Sequence, residues 1–220
     1  MDEKMYPLRM FIDLETTGLN SRRHIPTEIS VILRGKDGVD VNFSTLIRWP
    51  LSELGVALGK ADPMNLPRLL ELIRKTADSR GAYPMLTPSQ IVLELRKMLN
   101  GYADGQITPV GFNVEKLDLP FMEMHGLLTR DELHHRSIQL GQLWMRPSDL
   151  KMPDTLETVR RALAVEVDAK VFTEKMLADK IFLSQFLKRR EANDDVNTHS
   201  SWEDVRAARA VYGIWEAQYE

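Results

Sequence analysis

A short apolar run that ends in two carboxylates constrains this chain most strongly. Asp13 and Glu15 follow Met10-Phe11-Ile12 and precede Thr16-Thr17-Gly18. Residues two apart in a β-strand point to the same face, so both carboxylates should converge on one spot. The glycine lets backbone approach a ligand closely. Two like charges so placed repel each other unless a cation lies between them, so the pair by itself indicates either a divalent metal site or two solvated surface acids at a strand end.

Two later segments carry residues of related chemistry. Asp118 lies in the run GFNVEKLDLPF that begins at Gly111, and His199 and Asp204 lie in HSSWEDVRAA. Residues five apart on a helix are separated by roughly 140° around its axis. His199 and Asp204 therefore cannot share a helix face, and we predict that His199 precedes a helix whose second turn carries Asp204. The polar run at 193–198 before it indicates a flexible connection.

Taken together and in this order, the three segments resemble the DEDDh family of 3′–5′ exonucleases, the DnaQ-like branch of the RNase H-like fold. The first is similar to that family's D-x-E-T-T-G-L/M opening, and the second to its G-H/Y-N segment followed by F/L-D-x-x-F/L. The third is similar to H-x-A-x-x-D-A/V, with Ser201 at the alanine position. The resemblance implies an α/β, RNase H-like fold with a central mixed five-stranded sheet flanked by helices. We expect one domain over 1–220, with helical insertions at about 51–81 and 172–198.

The resemblance also implies residue roles. Asp13 would bridge two ions, Glu15 and Asp204 would each favour one ion, and Asp118 would orient water or substrate, so these four form the expected metal and catalytic set. His199 would be the general base, because imidazole titrates close to neutral pH. The expected substrate-binding residues are Thr16, Thr17, Gly18, Leu19, Phe112 and Asn113. Two Mg²⁺ or Mn²⁺ ions about 3.5–4 Å apart would suit this carboxylate set, since hard cations prefer oxygen ligands.

The implied activity is metal-dependent 3′–5′ exonucleolytic hydrolysis at single-stranded 3′ ends, with release of nucleoside 5′-monophosphates. DNA is the favoured substrate and RNA the alternative. Within the family, a polymerase-associated proofreading enzyme and an oligoribonuclease or RNA-trimming enzyme stay open. From another class, a non-catalytic nucleic-acid-binding module also stays open, although that reading predicts loss of a carboxylate and none is missing here.

Composition agrees with this interpretation. The 220 residues include 29 Lys and Arg against 32 Asp and Glu, a net charge of −3. A protein that binds a long duplex is usually basic, so the charge favours a cleft for a few nucleotides of one strand. Cysteine is absent, which excludes thiolate chemistry and disulfides and is compatible with the cytoplasm. We expect no membrane segment, and monomer and homodimer stay equally open.

Hydrophobic periodicity and turn signals predict the remaining elements. A hairpin is expected at Gly35-Lys36-Asp37-Gly38, and the segment 51–62 is expected to approach the next helix irregularly. The predicted strands cover 8–14, 27–33, 39–47, 107–111 and 137–140. The predicted helices cover 66–73, 89–99, 115–125, a segment from 154 or 155, a segment around 172–186, and about 201–218.

Overall fold

A mixed six-stranded sheet flanked by helices forms the centre of the protein. The computed structural model describes residues 8–77, 85–102, 105–166, 173–192 and 200–219. The strands are β1 (Arg9–Thr16), β2 (Pro26–Arg34), β3 (Asp40–Ile47), β4 (Met85–Leu86), β5 (Thr108–Gly111) and β6 (Ile138–Gln139). They lie in the order β4-β3-β2-β1-β5-β6. The first three are antiparallel, whereas β5 runs parallel to β1, β6 to β5 and β4 to β3. The predicted α/β class is confirmed.

The predicted hairpin joins β2 and β3. Gly38 adopts a positive φ of 75°, a conformation that glycine reaches without steric cost. The carboxylate of Asp37 accepts a hydrogen bond from the Val39 N–H at 3.0 Å, and the Gly35 N–H bonds the Val39 carbonyl at 2.9 Å. The turn therefore sets the antiparallel register in which Arg34 faces Asp40.

The helices are α1 (Leu51–Leu58), α2 (Leu66–Ala77), α3 (Pro88–Leu99), α4 (Asp118–Met124), α5 (Leu140–Leu143), α6 (Thr155–Leu163), α7 (Glu174–Ala192) and α8 (Ser201–Tyr219). Capping residues mark where several of these helices begin. Thr87 and Gln90 form a reciprocal capping box at α3. Asp154 caps α6 by accepting a hydrogen bond from the Glu157 N–H at 2.8 Å. No helix among the described residues is both long and apolar enough to cross a membrane.

Both faces of β1 are covered, and the alternation of its side chains separates two hydrophobic cores. Met10, Ile12 and Leu14 belong to the core that includes residues of α1 to α4. Phe11 belongs to the other core, with apolar residues of α6, α7 and α8. Asp13 continues the face of Phe11 along the strand. The first acidic pair is therefore on the same side of the sheet as α8.

Helix α8 packs across β1 and β2 with its N-terminal end at the carboxyl end of β1. The rings of Phe11 and Tyr212 meet edge to face with centroids 5.6 Å apart. Arg9, at the start of β1, donates to the Tyr212 hydroxyl at 3.0 Å. Tyr212 lies eight residues after Asp204, so the helix runs back along the strand and brings Asp204 toward the end that carries Asp13.

Several predicted elements differ from the structure. The sheet has a sixth strand, β4, whose two residues pair only with the end of β3 and have no periodicity to detect. Residues 51–58 form a regular helix, α1, in place of the irregular approach, because Leu54 and Ala57 bury one face despite Gly55. Helix α4 begins at Asp118 instead of residue 115, after a turn. Helix α7 continues to Ala192, beyond the predicted end near residue 186; residues 193–199, and Phe172, lie outside the described residues.

Candidate active site

Three carboxylates from two elements converge at the carboxyl end of β1. Asp13, Glu15 and Asp204 each offer an oxygen atom, and these three atoms all lie within 4.8 Å of one another. The two strand residues share a face, and Asp204 comes from the first turn of α8. That turn, instead of the predicted second, places the carboxylate near the positive end of the helix dipole. Asp204 lies 191 positions after Asp13 and 189 positions after Glu15 in the sequence, and the fold brings the three into one cluster.

Asp118 lies beside this cluster without belonging to the group of three. It is 2% exposed at the start of α4, and its Oδ1 accepts a hydrogen bond from the Leu14 N–H at 2.9 Å. This bond ties α4 to β1 between the two acidic strand residues. One carboxylate oxygen is thereby committed to the backbone, which fixes Asp118 against β1.

The mutual proximity of these acids shifts their titration. Burial and then repulsion from Asp204, Asp118 and Glu15 raise the pKa of Asp13 well above its usual range. Burial raises the pKa of Glu15 and of Asp118 to about 7, and that of Asp204 to about 6. These raised pKa values mean that the cluster has too little positive charge beside it to neutralise its carboxylates.

Two arginines offset part of this charge, one from each of the segments expected to be insertions. Arg68 of α2 pairs with Glu15. Arg190 of α7 donates from Nη2 to both oxygens of Asp204, each at 2.6 Å. Both arginines lower the pKa of the carboxylate they touch, against the effect of burial. For Asp13, by contrast, every identified cause raises the pKa.

The site therefore fits a divalent cation. Its donors are carboxylate oxygens, which suit Mg²⁺ and Mn²⁺ and do not suit soft metals that prefer sulfur. Asp13 lies beside Glu15 and Asp204 without an identified cationic partner among the described residues, and burial followed by repulsion from neighbouring acids raises its pKa, both of which a bound cation would offset. The chemistry of the donors and their spacing agree with a metal centre, and the kind of ion is a matter for experiment.

A chain of hydroxyl groups holds the start of α8 against the sheet. Glu28 of β2 accepts from the hydroxyls of Ser200 at 3.1 Å and Ser201 at 2.8 Å. The Ser201 hydroxyl also lies 2.7 Å from that of Ser30, which in turn lies 2.8 Å from that of Ser44. Ser201, the departure from the family's alanine, is fully buried. It anchors the helix turn that carries Asp204.

The turn after β1 is built from its own polar groups. The Thr16 hydroxyl donates to the Gly18 carbonyl at 2.8 Å, and the Thr17 hydroxyl accepts from the Ile25 N–H at 3.1 Å. A Cβ on Gly18 would come within 2.6 Å of the His24 ring and of the Asp62 carboxylate, so no larger residue fits there without movement. Leu19 is 78% exposed and stands out from the turn. These residues lie next to Glu15, on the segment predicted to bind substrate.

A cavity of about 280 Å³ opens beside the acidic cluster. Phe112 and Asn113, the other two predicted substrate residues, line it together with Asp13, Asp118, Asp204 and Arg190. The Asn113 carbonyl accepts from the N–H groups of Lys116 and Leu117 at 3.0 and 2.9 Å, which forms the turn before α4. The structure thus brings the second predicted segment to the same cleft as the first.

His199, the predicted general base, lies outside the described residues, and its role stays a prediction. Its chain neighbour Ser200 bonds Glu28, so the backbone enters α8 beside β2.

Residue-by-residue reasoning from the sequence missed Arg68, Arg190 and Glu28. Arg68 and Arg190 lie in ordinary charged helices, and no local pattern distinguishes them from their solvated neighbours. Glu28 precedes an apolar strand and gives a weak signal, as a charged residue at the strand end nearest the first motif. Trp49 is buried, and its indole N–H donates to the Pro26 carbonyl at 2.7 Å.

Comparison with known proteins places this site in a recognisable fold. No family model and no curated protein matches the chain. Among solved structures, it is similar to Exonuclease I from Methylocaldum szegediense, with a TM-score of 0.50 and 11% identity over 98% of this chain and 41% of that one. It is also similar to E. coli Exonuclease I in complex with a dT13 oligonucleotide, with a TM-score of 0.49 and 11% identity over 97% of this chain and 41% of the other. The chain spans about two fifths of the length of these structures and shares the overall fold of the Methylocaldum enzyme.

Proposed function

We propose that this protein is a metal-dependent 3′–5′ exonuclease that shortens single-stranded nucleic acid, with DNA favoured over RNA, and releases nucleoside 5′-monophosphates. The observation that carries the proposal is the convergence of Asp13, Glu15 and Asp204, with Asp13 lacking an identified cationic partner among the described residues. The likeness of the fold to an Exonuclease I supports the same reaction class. The match of all three sequence segments to the DEDDh pattern supports the direction of cleavage.

Each residue then has a chemical task. Asp13, Glu15 and Asp204 would hold two Mg²⁺ or Mn²⁺ ions, and Asp118, fixed by the Leu14 N–H, would orient water or substrate from the side. When bound, the ions supply positive charge at the attacking and leaving oxygens of the phosphodiester. His199 accepts the proton of the attacking water. Leu19 contacts the terminal base, and Thr16 and Thr17 form the wall of the pocket for the terminal sugar.

Cleavage of 5′-labelled oligonucleotides tests the proposal directly. Single-stranded DNA and RNA of equal sequence would be incubated with Mg²⁺, Mn²⁺ or EDTA, beside the Asp13→Asn protein as the matched inactive form. We expect a ladder that shortens from the 3′ end, requires the metal ion and is absent with Asp13→Asn. Removal of the 5′-label as the first product would contradict the direction, and no cleavage of either polymer would favour a binding module.

A further inference from the structure

Arg190 is buried at the wall of the cavity, and its Nη1 has no hydrogen-bond partner among the described residues. Arg190 is only 8% exposed to solvent. Nη2 is used by Asp204, but Nη1 is buried without a hydrogen-bond acceptor among the described residues. A guanidinium donor removed from water without an acceptor is costly, and Arg can bind two anionic groups at once through its planar fork.

The surroundings of Arg190 indicate what that missing acceptor is. The cavity it lines also contains the carboxylates of Asp13 and Asp118, and its apolar wall includes Phe186, whose ring lies 5.1 Å from the Arg190 Cζ. That ring contact restrains the guanidinium plane. A carboxylate already occupies one branch, so the other branch is suited to a second anion that enters the cavity from outside.

We propose that Arg190 binds the phosphate of the nucleotide to be released, donating from Nη1 to a non-bridging oxygen while Nη2 stays on Asp204. This inference rests on the proposed function and extends it, because it names a phosphate contact made by the protein itself. One guanidinium would then tie the substrate phosphate to the carboxylate that holds the ion. A lysine at this position retains the charge but has a single nitrogen in place of the fork, so it cannot reproduce both contacts in this geometry.

Arg189 provides a matched control on the same two helices. It pairs with Glu203 at 2.9 Å, as Arg190 pairs with Asp204, but its side chain is 48% exposed. The two arginines therefore differ in whether they face the cavity, while their helix, neighbours and partner type are alike. Arg190→Lys and Arg189→Lys are the variants to compare.

Binding of the reaction product separates phosphate recognition from turnover. Titration calorimetry with thymidine 5′-monophosphate and with thymidine, both in Mg²⁺, measures what the phosphate adds to affinity. For Arg190→Lys we expect thymidine 5′-monophosphate to bind about tenfold more weakly, with thymidine unchanged, because one charge-assisted hydrogen bond is lost. Arg189→Lys should bind both as the wild type does, and the Mg²⁺-induced rise in unfolding temperature should persist in both variants.

Three outcomes would overturn the inference, and they differ from failure of the proposed function. In the first outcome, the wild type cleaves oligonucleotides and Arg190→Lys binds thymidine 5′-monophosphate as tightly as the wild type does. Arg190 then only neutralises Asp204. If the variant loses its response to Mg²⁺, Arg190 acts through the metal site. If Arg189→Lys loses the same affinity, the effect does not require an arginine that faces the cavity. A wild type that neither cleaves oligonucleotides nor binds the monophosphate would instead refute the proposed function, and this inference with it.

Discussion

Helix α8 takes part in two ionic clusters, and they have opposite character. At its N-terminal end, Asp204 joins Asp13 and Glu15, and the acids outnumber the arginines near them. Toward its C-terminal end, Arg209 and Glu216 enter a network with Arg34 of β2, Asp40 of β3 and two residues of α7, Lys175 and Asp179. In this second cluster, which we call the balanced network, each acid has a cation beside it. Apart from Lys175, whose side chain is 56% exposed, the members of both clusters are largely removed from water.

The pKa shifts of single carboxyl groups show the same difference between the two clusters. Neighbouring acids add to the effect of burial in raising the pKa of Asp13. Burial also raises the pKa of Asp179 in the balanced network, but Arg209 and Lys175 oppose that effect. A buried network in which charges match needs no further ion, whereas an excess of one sign is maintained only with another ion or with bound protons. The comparison therefore separates a structural cluster from a candidate ligand site without reference to sequence motifs.

The largest expected effect comes from removing one acid from each cluster. Asp13→Asn should lower oligonucleotide hydrolysis about a thousandfold or more, as does loss of a group that stabilises transition-state charge. Its stability in EDTA should be unchanged or higher, because a repulsive charge is gone. Asp40→Asn should do the reverse, leaving turnover within about twofold at low temperature while lowering the unfolding midpoint, because Arg209 loses its carboxylate at 2.8 Å. Rates and urea unfolding curves of both variants measure this, and equal losses of stability would contradict the distinction.

A cation of the balanced network should matter for folding alone. Arg209→Met leaves Asp40 and Asp179 without this partner in a site where Arg209 is only 5% exposed. We expect a loss of about 3–5 kcal/mol in the free energy of unfolding, the usual cost of removing one partner of a buried pair. The exposed pair of Arg160 and Glu191, at 2.9 Å, gives the control. Arg160→Ala should leave the free energy of unfolding nearly unchanged, because water and salt screen an exposed pair, and similar losses for the two variants would show that the balanced network is not structural.

The smallest effect is a coupling between pH and metal binding. Because the folded-state pKa values of Glu15, Asp118 and Asp204 are raised to about 6 or 7, the metal-free folded protein holds more protons than the unfolded chain between about pH 4 and 7. Its stability should therefore fall as pH rises through that window. A cation replaces those protons, so Mg²⁺ at about a hundred times its Kd should add about 2.7 kcal/mol at pH 8 and less than half of that at pH 5.

Thermal unfolding with Mg²⁺ and with EDTA measures this coupling. A gain of that size corresponds to a rise of roughly 5–10 °C for a chain of this length. Asp13→Asn serves as the control and should show little response to Mg²⁺ at either pH. An equal rise at pH 5 and pH 8 in the wild type would mean that the ion binds away from the acidic cluster.

Local sequence was sufficient for the elements whose signals are short-range. The Gly35–Gly38 hairpin, the start of a helix at 154 or 155, and the three antiparallel strands follow from turn residues and from apolar runs. Strand β4 does not follow from local sequence, because a strand of two residues is too short to show a hydrophobic period. Helix α1 was misjudged because Gly55 suggested irregularity, whereas burial of Leu54 compensates for the low helix propensity of glycine.

The amino-acid sequence by itself determined the acidic pair on one strand face, because the period of a β-strand is two, and it indicated Asp118 and Asp204 through their motifs. Only the tertiary structure decided what surrounds them. The packing of α8 along β1 brings Asp204 to Asp13, and α2 and α7 deliver Arg68 and Arg190 to separate carboxylates. The contact of Arg68 with Glu15 joins residues 53 positions apart, and that of Arg190 with Asp204 joins residues 14 positions apart. Both depend on the packing of whole helices. A single arginine in a charged helix carries no local sign of its partner, since the energy of an ion pair depends on distance and burial, which only the folded chain defines.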